Sequence, residues 1–586
     1  MDYKKMFEKW LNASLPDELK SELYGVRNDD GAIRDRFSGE LEFRTAGMRG
    51  IIGAGTLRMN YLTVNRATKG LADYVSSLGD EAKKRGVVIA YDTRRYSFEF
   101  ALSAAKVLSQ NGVKAFLFEG ARPVPMGSFA VRYLKAAAGI VITASHNPKE
   151  YNGYKVYGDD GAQMSVDATA EVVKYISAAD YFSVESADIG EVFAADMQGK
   201  DGVFLDKNIM VIGKSADDAY YAEILKLALS PEAVNAAGKT LKLVYTPLHG
   251  SGYIPVTTVL NKMNINVSVV PEQKDPDFDF STVSAPNPEQ PDALRLAVAL
   301  AEKIGAEAAL GTDPDCDRMG AAVKTETGYT LLTGNQIGAL LLDYILLRKT
   351  QTDTLPNNAA AVKTIVTTGL AARIAASYGA EITDVLTGFK FIGEKIKEWE
   401  ETGEKSFVFG YEESYGYLAG THARDKDAVV AAMLFSEMIC YYRFTGTGVT
   451  ERLNALFERF GYFVEKSLSI AYGGADAMLE MSKVMKGLRE RKVFRFGSAD
   501  VDFIDDYIPR LRFFKNGESR PISLPETDVL YYGLERGGFI CARPSGTEPK
   551  LKIYVSASGE SRNEAEEYAA ELLKAAEKEV RARRFF

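Results

Sequence analysis

Four short polar stretches interrupt apolar runs in this sequence and bring together residue types that do chemistry. In "TASHNP" (143–148), Ser145 and His146 stand side by side where the apolar run "GIVIT" (139–143) ends. A serine beside a histidine is the minimum equipment for a nucleophile and its proton acceptor. Taken alone, the plainer reading is a strand-ending turn, because Asn-Pro is a common breaker. No G-x-S-x-G pattern surrounds Ser145, which argues against a serine esterase. Lys155, in "NGYK", adds a cation shortly downstream. In "GTDPDCDRMG" (311–320), Asp313, Asp315 and Asp317 alternate. On extended backbone, alternate side chains point the same way. Three carboxylates so aligned repel unless a cation lies among them, and hard divalent ions such as Mg²⁺ take oxygen ligands of this kind. An EF-hand does not fit: its sixth position would be Arg318 rather than glycine, and its twelfth Lys324 rather than glutamate. The competing reading is a solvated acidic turn.

The third stretch, "GYEESYGYLAGTHARDKDA" (410–428), carries Glu412, Glu413, Ser414, His422, Arg424 and Lys426. Carboxylates and hydroxyls are what a site needs to hydrogen-bond sugar hydroxyls. By itself it reads more simply as a charged surface loop. In the fourth, "RPSGTEPKLKIY" (543–554), Arg543, Ser545, the Gly546 backbone and Thr547 offer donors in a tight turn, with Lys550 and Lys552 nearby. Guanidinium and backbone N–H groups in such a turn suit a phosphate; a β-hairpin with basic residues is the alternative. A fifth stretch, "FRTAGMRGIIGAG" (43–55), is glycine-rich with Arg44 and Arg49 but does not fit the dinucleotide pattern. The "GKS" at 213–215 lacks the upstream glycine of a P-loop.

Each of the first four stretches follows a predicted strand. Apolar runs at 87–91, 115–118, 139–144, 241–247, 266–270, 306–312, 360–368, 381–387 and 406–412 alternate with helical patterns. Such runs indicate sheets covered on both faces, an α/β architecture in three units of comparable length. In these folds ligands gather at the carboxyl ends of strands. Ser97 suits an N-cap and Gly112 a helix end for the helix between them. The C-terminal part differs: runs at 529–534, 538–546 and 550–557 lie close together, so an antiparallel sheet is expected in a smaller α+β domain. A long helix follows, with Ser561 and Glu564 as a capping-box pair and Ala565, Ala569, Leu572, Ala576 and Val580 as its apolar stripe. "TGTG" (445–448) marks a plausible break before this part.

Bulk composition sets the outer limits. The 586 residues suffice for several domains, and 46% hydrophobic with 26% charged residues is ordinary for globular cores. A net charge of −9 argues against nucleic-acid or anionic-membrane partners, so an anionic ligand would need local positive charge. Three scattered cysteines read as a reducing compartment. The first residues lack the apolar core of a signal peptide, and the richest apolar run, "QIGALLLDYILL", is short and carries Asp343. A cytoplasmic protein, monomer or homodimer, is expected.

In this order, the four stretches resemble the α-D-phosphohexomutase family, closest to its phosphoglucomutase/phosphopentomutase-like branch. "TASHNP" looks like the family's phosphoserine loop, "DPDCDR" its metal loop, "GYEES" its sugar-recognition loop and "RPSGTEPK" its phosphate-binding loop. "TAGMRG" and "TGFKFIG" (387–393) also have counterparts, and the likeness spans roughly 40–555. The resemblance implies four domains: after a helical extension (1–40), α/β domains at 41–208, 209–325 and 326–455, then an α+β domain at 456–586. It implies Ser145 as phosphoryl carrier and Mg²⁺ on Asp313, Asp315 and Asp317, with a phosphoserine oxygen completing the shell. Arg49 and Lys155 would stand beside the phosphoserine, and Lys155 and His146 are both candidate general bases. Arg318, Gly388, Glu412, Ser414, His422 and Lys426 would bind substrate, and Arg543, Ser545, Gly546 and Thr547 would clamp the other phosphate. The implied reaction interconverts glucose 1-phosphate and glucose 6-phosphate through glucose 1,6-bisphosphate. Mannose and pentose phosphates are alternatives within the family, and a Ser-nucleophile phosphatase or hydrolase is the alternative outside it. Tyr411 departs from the family, where glycine commonly precedes the sugar-loop glutamate.

Overall fold

Strands that are apolar along their whole length must be covered on both faces, and the chain's helices supply that cover. The structure, a computed structural model, describes residues 2–43, 47–472, 477–545 and 550–582. The first sheet contains β1 (Gly47–Ile51), β2 (Val87–Tyr91), β3 (Ala115–Phe118), β4 (Ala138–Ile142), β5 (Tyr151–Tyr157) and β6 (Ile209–Ile212), in the order β1-β5-β4-β2-β3-β6. β4, β2, β3 and β6 run parallel, while β5 and β1 form an antiparallel edge. Every residue of β2, β3 and β4 is buried. The helix Ser97–Gln110 joins one core through Phe100, Ala101 and Ala104. The helix Val124–Tyr133 joins another through Val124, Ala130 and Val131.

The second sheet repeats the plan. β7 (Leu243–Thr246), β8 (Val267–Val269), β9 (Ala308–Thr312), β10 (Met319–Thr325) and β11 (Gly328–Leu331) take the order β11-β10-β9-β7-β8. The last three in that order are parallel, and β10–β11 is an antiparallel hairpin. In the third α/β unit, β12 (Ala359–Thr364) pairs in parallel with β13 (Glu381–Val385). β14 (Ser406–Glu412) and β15 (Gly416–Leu418) follow. The C-terminal sheet is antiparallel throughout: β16 (Tyr462–Ala471), β17 (Arg495–Phe496), β18 (Ala499–Asp506), β19 (Leu511–Phe514), β20 (Ser519–Pro521), β21 (Leu530–Leu534), β22 (Phe539–Pro544) and β23 (Lys550–Gly559). The helices Ala477–Arg491 and Arg562–Arg581 share its core. The fold class is therefore three α/β units followed by a smaller α+β domain.

The chain divides into two compact units. One comprises Met1–Ile337, Ile392–Gly410 and Ser414–Gly446; the other comprises Gly338–Phe391, Tyr411–Glu413 and Thr447–Phe586. In the first, Asp427 caps the helix Ala428–Thr445 by accepting from Val430 N–H. That helix is long and apolar enough to cross a membrane, but 83% of its apolar window is buried in protein, as befits a core helix. In the second, Asp343 interrupts an apolar helix because Arg452 holds it, Nη2 to Oδ1 at 2.7 Å, with the Tyr378 hydroxyl at 2.9 Å.

Two expected caps differ in detail. Tyr96, in a left-handed conformation (φ 64°), occupies the N-cap of Ser97–Gln110, and Ser97 donates instead to Asp92 Oδ1 at 2.6 Å. Ser561 does cap the last helix, but Glu564 reaches back to the N–H of Glu560 rather than of Ser561. The expected stripe along that helix is buried.

The N-terminal helices Tyr3–Leu11, Asp17–Val26 and Asp30–Phe37 bury Phe7, Trp10, Leu23 and Phe37 with Ala54 and Tyr181. Trp10 meets Phe37, Tyr181 and Phe182 edge-on, with ring centroids 5.6, 5.7 and 5.8 Å apart. Truncating a buried Trp to Ala costs about 3–5 kcal/mol. Trp10→Ala is thus expected to expose residues 2–37 to brief trypsin digestion while the remainder resists; equal resistance in variant and wild type would show that this cluster does not anchor the helices.

Candidate functional site

β4 ends at Ile142, and the chain turns sharply through Thr143–Pro148. Ser145 itself takes a left-handed conformation, φ 53°. Such backbone costs a serine on the order of 1–3 kcal/mol and persists only where its surroundings enforce it. Here Ser145 N–H donates to Thr143 Oγ1 at 2.8 Å, and Thr143 Oγ1 donates to Asp92 Oδ2 at 2.6 Å. β5 then passes directly behind the turn. Gly153 is required there, since a Cβ would stand 2.5 Å from the Thr143 carbonyl oxygen. β5 carries Lys155, and β1 runs antiparallel beside it with Arg49 opposite Gly153. Arg49 Nη1 donates to Asn147 Oδ1 at 3.0 Å, so the "TAGMRG" arginine reaches the serine turn.

β9 ends at Thr312, and Asp313, Asp315 and Asp317 follow. Their convergence has a different cause from the expected extended backbone. The segment is a tight turn with Cys316 left-handed (φ 49°). Asp313 Oδ1 accepts from the N–H groups of Asp317 and Arg318 at 3.1 and 3.0 Å, and its carbonyl accepts from Cys316 N–H at 2.9 Å. A second turn supports it from behind. Ser251 donates to the Pro314 carbonyl from both N–H and hydroxyl at 2.8 Å, and a Cβ on Gly250 would stand 2.4 Å from Pro314 Cα.

The two turns meet. Ser145 Oγ donates to Asp313 Oδ2 at 2.7 Å, and His146 Nδ1 lies 3.0 Å from the same Oγ. A serine hydroxyl has one proton. When that proton points at Asp313, the contact with His146 requires the tautomer protonated on Nδ1; the reverse tautomer would accept it instead. The side chains of Ser145 and His146, neighbours in sequence, thus also touch. A carboxylate oxygen from each of the three aspartates lies within 4.8 Å of the others. The aspartates are at most 1% exposed, which removes the solvated-turn reading. Lys155 Nζ is 2.9 Å from Asp315 Oδ2 and 3.5 Å from Asp317 Oδ2; Lys426 Nζ is 2.9 Å from Asp317 Oδ2. Arg318 pairs with Glu289.

Burial, reinforced by Asp315 and Asp317, raises the Asp313 carboxyl well above the usual carboxylate range. Asp317 goes the other way: burial opposes its charge, but Lys426, Lys155 and Arg318 hold it below that range. Burial would lower Lys155, yet Asp315 and Asp317 hold it above its ordinary value, so it is charged. Burial, with Arg318 and Arg49 nearby, pushes His146 well below its usual value and keeps the imidazole neutral.

A divalent cation fits this cluster. Asp315 Oδ1 and Asp317 Oδ1 are buried and have no hydrogen-bond partner among the described residues. The set is all oxygen, as Mg²⁺ prefers.

The segment after β15 is not a surface loop. Arg424, Asp425, Lys426 and Asp427 are all buried. His422 Nε2 lies 2.7 Å from Asp427 Oδ2, which also accepts from the Tyr220 hydroxyl at 2.7 Å. Asp425 Oδ2 accepts from the Tyr157 hydroxyl at 2.9 Å. The first unit therefore gathers Ser145, His146, Arg49, Lys155, the three aspartates, Arg318 and Lys426. Ser414 and His422 also belong to it.

In the second unit, Glu412 Oε1 accepts from Gly388 N–H at 3.0 Å, which joins two of the expected sugar-binding residues. Glu413 Oε2 accepts from Thr364 Oγ1 at 3.2 Å. Tyr411 is fully buried, and Gly338 leaves room for its ring: a Cβ there would lie 2.1 Å from Tyr411 Cδ2. Arg543 and Ser545 sit at the end of the β22–β23 hairpin, where Arg543 opposes Lys552 and Ser545 N–H donates to the Lys550 carbonyl at 2.7 Å. Burial pushes the Cys541 thiol up to about 12; Arg543 lowers it and Glu413 raises it, so both loops bear on one buried group. Gly546 and Thr547 lie outside the described residues, as does Arg44.

The sequence reading missed Asp92 and Arg94. "YDTRRYS" (91–97) resembles an ordinary turn, and only contact with the serine turn reveals its part. Asp425, Asp427 and Glu289 were likewise unmarked, having no spacing pattern of their own.

Three similar α/β units, cationic residues about a turn serine and a buried oxygen cluster define the class, and comparison with known proteins agrees. Family models of phosphoglucomutase/phosphomannomutase α/β/α domains I, II and III match residues 40–182, 218–328 and 333–460, and the C-terminal domain model matches 520–575. The chain belongs to the phosphoglucomutase/phosphomannomutase family and is a phosphohexomutase, an isomerase. It is 37% identical over 523 residues to the phosphoglucomutase of Staphylococcus haemolyticus, covering 89% of this chain and 91% of that one. It is 36% identical to that of Staphylococcus epidermidis, covering 94% and 97%. Among solved structures it shares the fold of a putative phosphomannomutase from Thermus thermophilus (TM-score 0.66, 23% identity, 93% and 99% covered). It also shares the fold of parafusin, a phosphoglucomutase from Paramecium (TM-score 0.66, 17% identity, 92% and 96% covered).

The cluster should bind one equivalent of Mg²⁺ or Mn²⁺ in calorimetric titration of the purified protein. Asp317→Asn is expected to weaken that binding by at least about 10–100-fold, by analogy with the loss of supporting groups around metals; undiminished affinity would place the ion elsewhere.

Proposed function

We propose that this phosphohexomutase is a phosphoglucomutase, interconverting α-D-glucose 1-phosphate and glucose 6-phosphate with Ser145 as phosphoryl carrier. The observation that carries the reading is Ser145 Oγ held 2.7 Å from Asp313 in a buried three-aspartate turn, with Lys155 and His146 beside it. Relatives at 34–37% identity, named phosphoglucomutase, support glucose as the sugar.

Phosphorylated Ser145 gives its phosphoryl group to the free hydroxyl of the bound sugar phosphate. The P–Oγ bond breaks as the bond from phosphorus to the sugar oxygen forms, giving glucose 1,6-bisphosphate. The bisphosphate then turns over, and its other phosphate returns to Ser145. Such transfer depends on alignment and charge neutralisation more than on covalent work. Asp313, Asp315 and Asp317 would hold Mg²⁺, which when bound neutralises phosphate oxygens. Arg49 and Lys155 add positive charge about the serine turn. With its proton on Nδ1, His146 would hydrogen-bond Oγ as it becomes the leaving oxygen. Glu412, Gly388 and Ser414 bind sugar hydroxyls; Arg318, His422 and Lys426 assist in substrate binding. Arg543, Ser545, Gly546 and Thr547 clamp the phosphate that is not reacting.

The proton of the attacking hydroxyl goes to His146 or to Lys155, which is charged in the free enzyme and would first have to release its own proton. pH–rate profiles of Lys155→Met and His146→Gln separate them, because loss of the base removes the limb that reports its ionisation.

A second reading, a serine phosphatase that would need no metal, requires the reverse tautomer, with His146 Nδ1 accepting from Ser145 Oγ. Purified wild type should carry phosphate on Ser145 by peptide mass spectrometry, lose turnover on chelation and convert glucose 1-phosphate faster than mannose or ribose 1-phosphate. Ser145→Ala should be inactive and unphosphorylated. Chelator-resistant release of inorganic phosphate would favour the phosphatase, and a clear ribose preference would move the enzyme to the pentose branch.

A further inference from the structure

The serine turn hangs on one buried guanidinium. Arg94, 3% exposed, points its Nη2 at the carbonyl oxygens of Ser145 and Asn147. Its Nη1 donates to the carbonyls of Pro148 and Tyr151 at 2.9 and 3.2 Å. Four carbonyls, spread from the reactive serine to the first residue of β5, thus converge on one planar group. The counter-charge is Asp92, whose Oδ2 lies 3.4 Å from Arg94 Nε. Asp92 is shared: Oδ1 accepts from Arg94 N–H at 2.9 Å and from Ser97 Oγ at 2.6 Å, while Oδ2 accepts from Thr143 Oγ1. Thr143 Oγ1 in turn accepts from Ser145 N–H. The Asp92–Arg94 pair therefore grips Ser145 through both of its backbone polar groups, N–H through Thr143 and C=O directly. The ring of Phe280 covers the guanidinium, 5.0 Å from its carbon. Phe280 belongs to "KDPDFDFS" (274–281), where Asp279 also pairs with Arg95 and Lys149, each at 3.4 Å, beside the turn.

A left-handed serine relaxes unless held, and of the turn's own donors Asn147 N–H goes to the Ala144 carbonyl and Tyr151 N–H to the Pro148 carbonyl, while the carbonyls of Ser145 and Asn147 face Arg94. Arg is suited to this: its fork offers five donors in fixed geometry, while a lysine ammonium is a point charge. We propose that Arg94 is a positioning residue for phosphoryl transfer: by binding four carbonyls of the serine turn it enforces the left-handed conformation of Ser145 and aims Oγ at Asp313. The inference rests on Ser145 being the phosphoryl carrier. Arg94 does not touch the reacting atoms, and substrate affinity is not its concern.

Arg94→Lys keeps the charge opposite Asp92 but loses the fork. Its kcat for glucose 1-phosphate is expected to fall about 100-fold, the scale of an ångström of misplacement, with KM unchanged and thermal melting close to wild type. In its crystal structure Ser145 should leave positive φ and Oγ should leave Asp313. Millimolar guanidinium should restore part of the kcat of Arg94→Ala and none of Ser145→Ala. A folded Arg94→Lys with wild-type kcat, or with Ser145 unmoved, overturns the proposal. Should the Arg94 variants not fold, Thr143→Val severs the other end of the grip and must show the same loss of kcat at constant KM; wild-type kcat there overturns it equally. If wild type itself fails to interconvert the glucose phosphates, the mutase reading falls, while the Ser145 conformation in Arg94→Lys still decides this proposal.

Discussion

Three carboxylates from one five-residue turn are packed together out of water, and the rest of the first unit is arranged around that constraint. Like charges in a dry place are unfavourable, and the protein answers in two ways. Asp313 is driven toward its neutral form, while Asp317 is held ionised by lysines from distant segments. Lys155 comes from the antiparallel strand behind the serine turn, and Lys426 from the segment after β15. Two carboxylate oxygens still lack hydrogen-bond partners among the described residues. An oxygen-seeking divalent ion is the natural remedy, and it would come to rest beside Ser145.

Backbone geometry makes the convergence possible. Ser145 and Cys316 both adopt left-handed conformations, each at the sharpest point of a turn leaving the carboxyl end of a strand. Without those two residues the serine and the aspartates would run past one another. Each turn is braced from behind by groups that do no chemistry: Asp92, Arg94 and Gly153 behind one, Ser251 and Gly250 behind the other. Reactive groups that must sit within a few tenths of an ångström require this kind of support.

The second unit holds Glu412 and Gly388 of the expected sugar-binding residues and the expected phosphate-binding hairpin, while Ser414 lies in the first. Glu412 and Gly388 are joined there, and Glu413 and Arg543 act on the same buried thiol. Tyr411, the departure from the family's usual glycine, is a core residue with its ring against Gly338. It is accommodated by shape.

Much of this was legible in the sequence. Fully apolar runs at regular spacing demand covered strands, so the α/β units, the antiparallel C-terminal sheet and the stripe of the last helix could be read from residue type alone. Ser145, the aspartates, Lys155 and Glu412 announced themselves because their chemistry is conspicuous after a strand end. The rest was not legible, for a physical reason. Whether a serine meets a histidine, whether an acidic turn is wet or dry and whether a charged loop lies on the surface depend on groups hundreds of residues away. Alternation suggested extended backbone for Asp313–Asp317, but a single left-handed cysteine made a turn of it. Asp92 and Arg94 carry no signature, since a polar pair after a strand is commonplace. Sequence by itself determined which residues could do the chemistry and on which strands they would stand; tertiary structure alone decided which of them meet, because left-handed turns and buried charges are stable only when the surrounding fold supplies their partners.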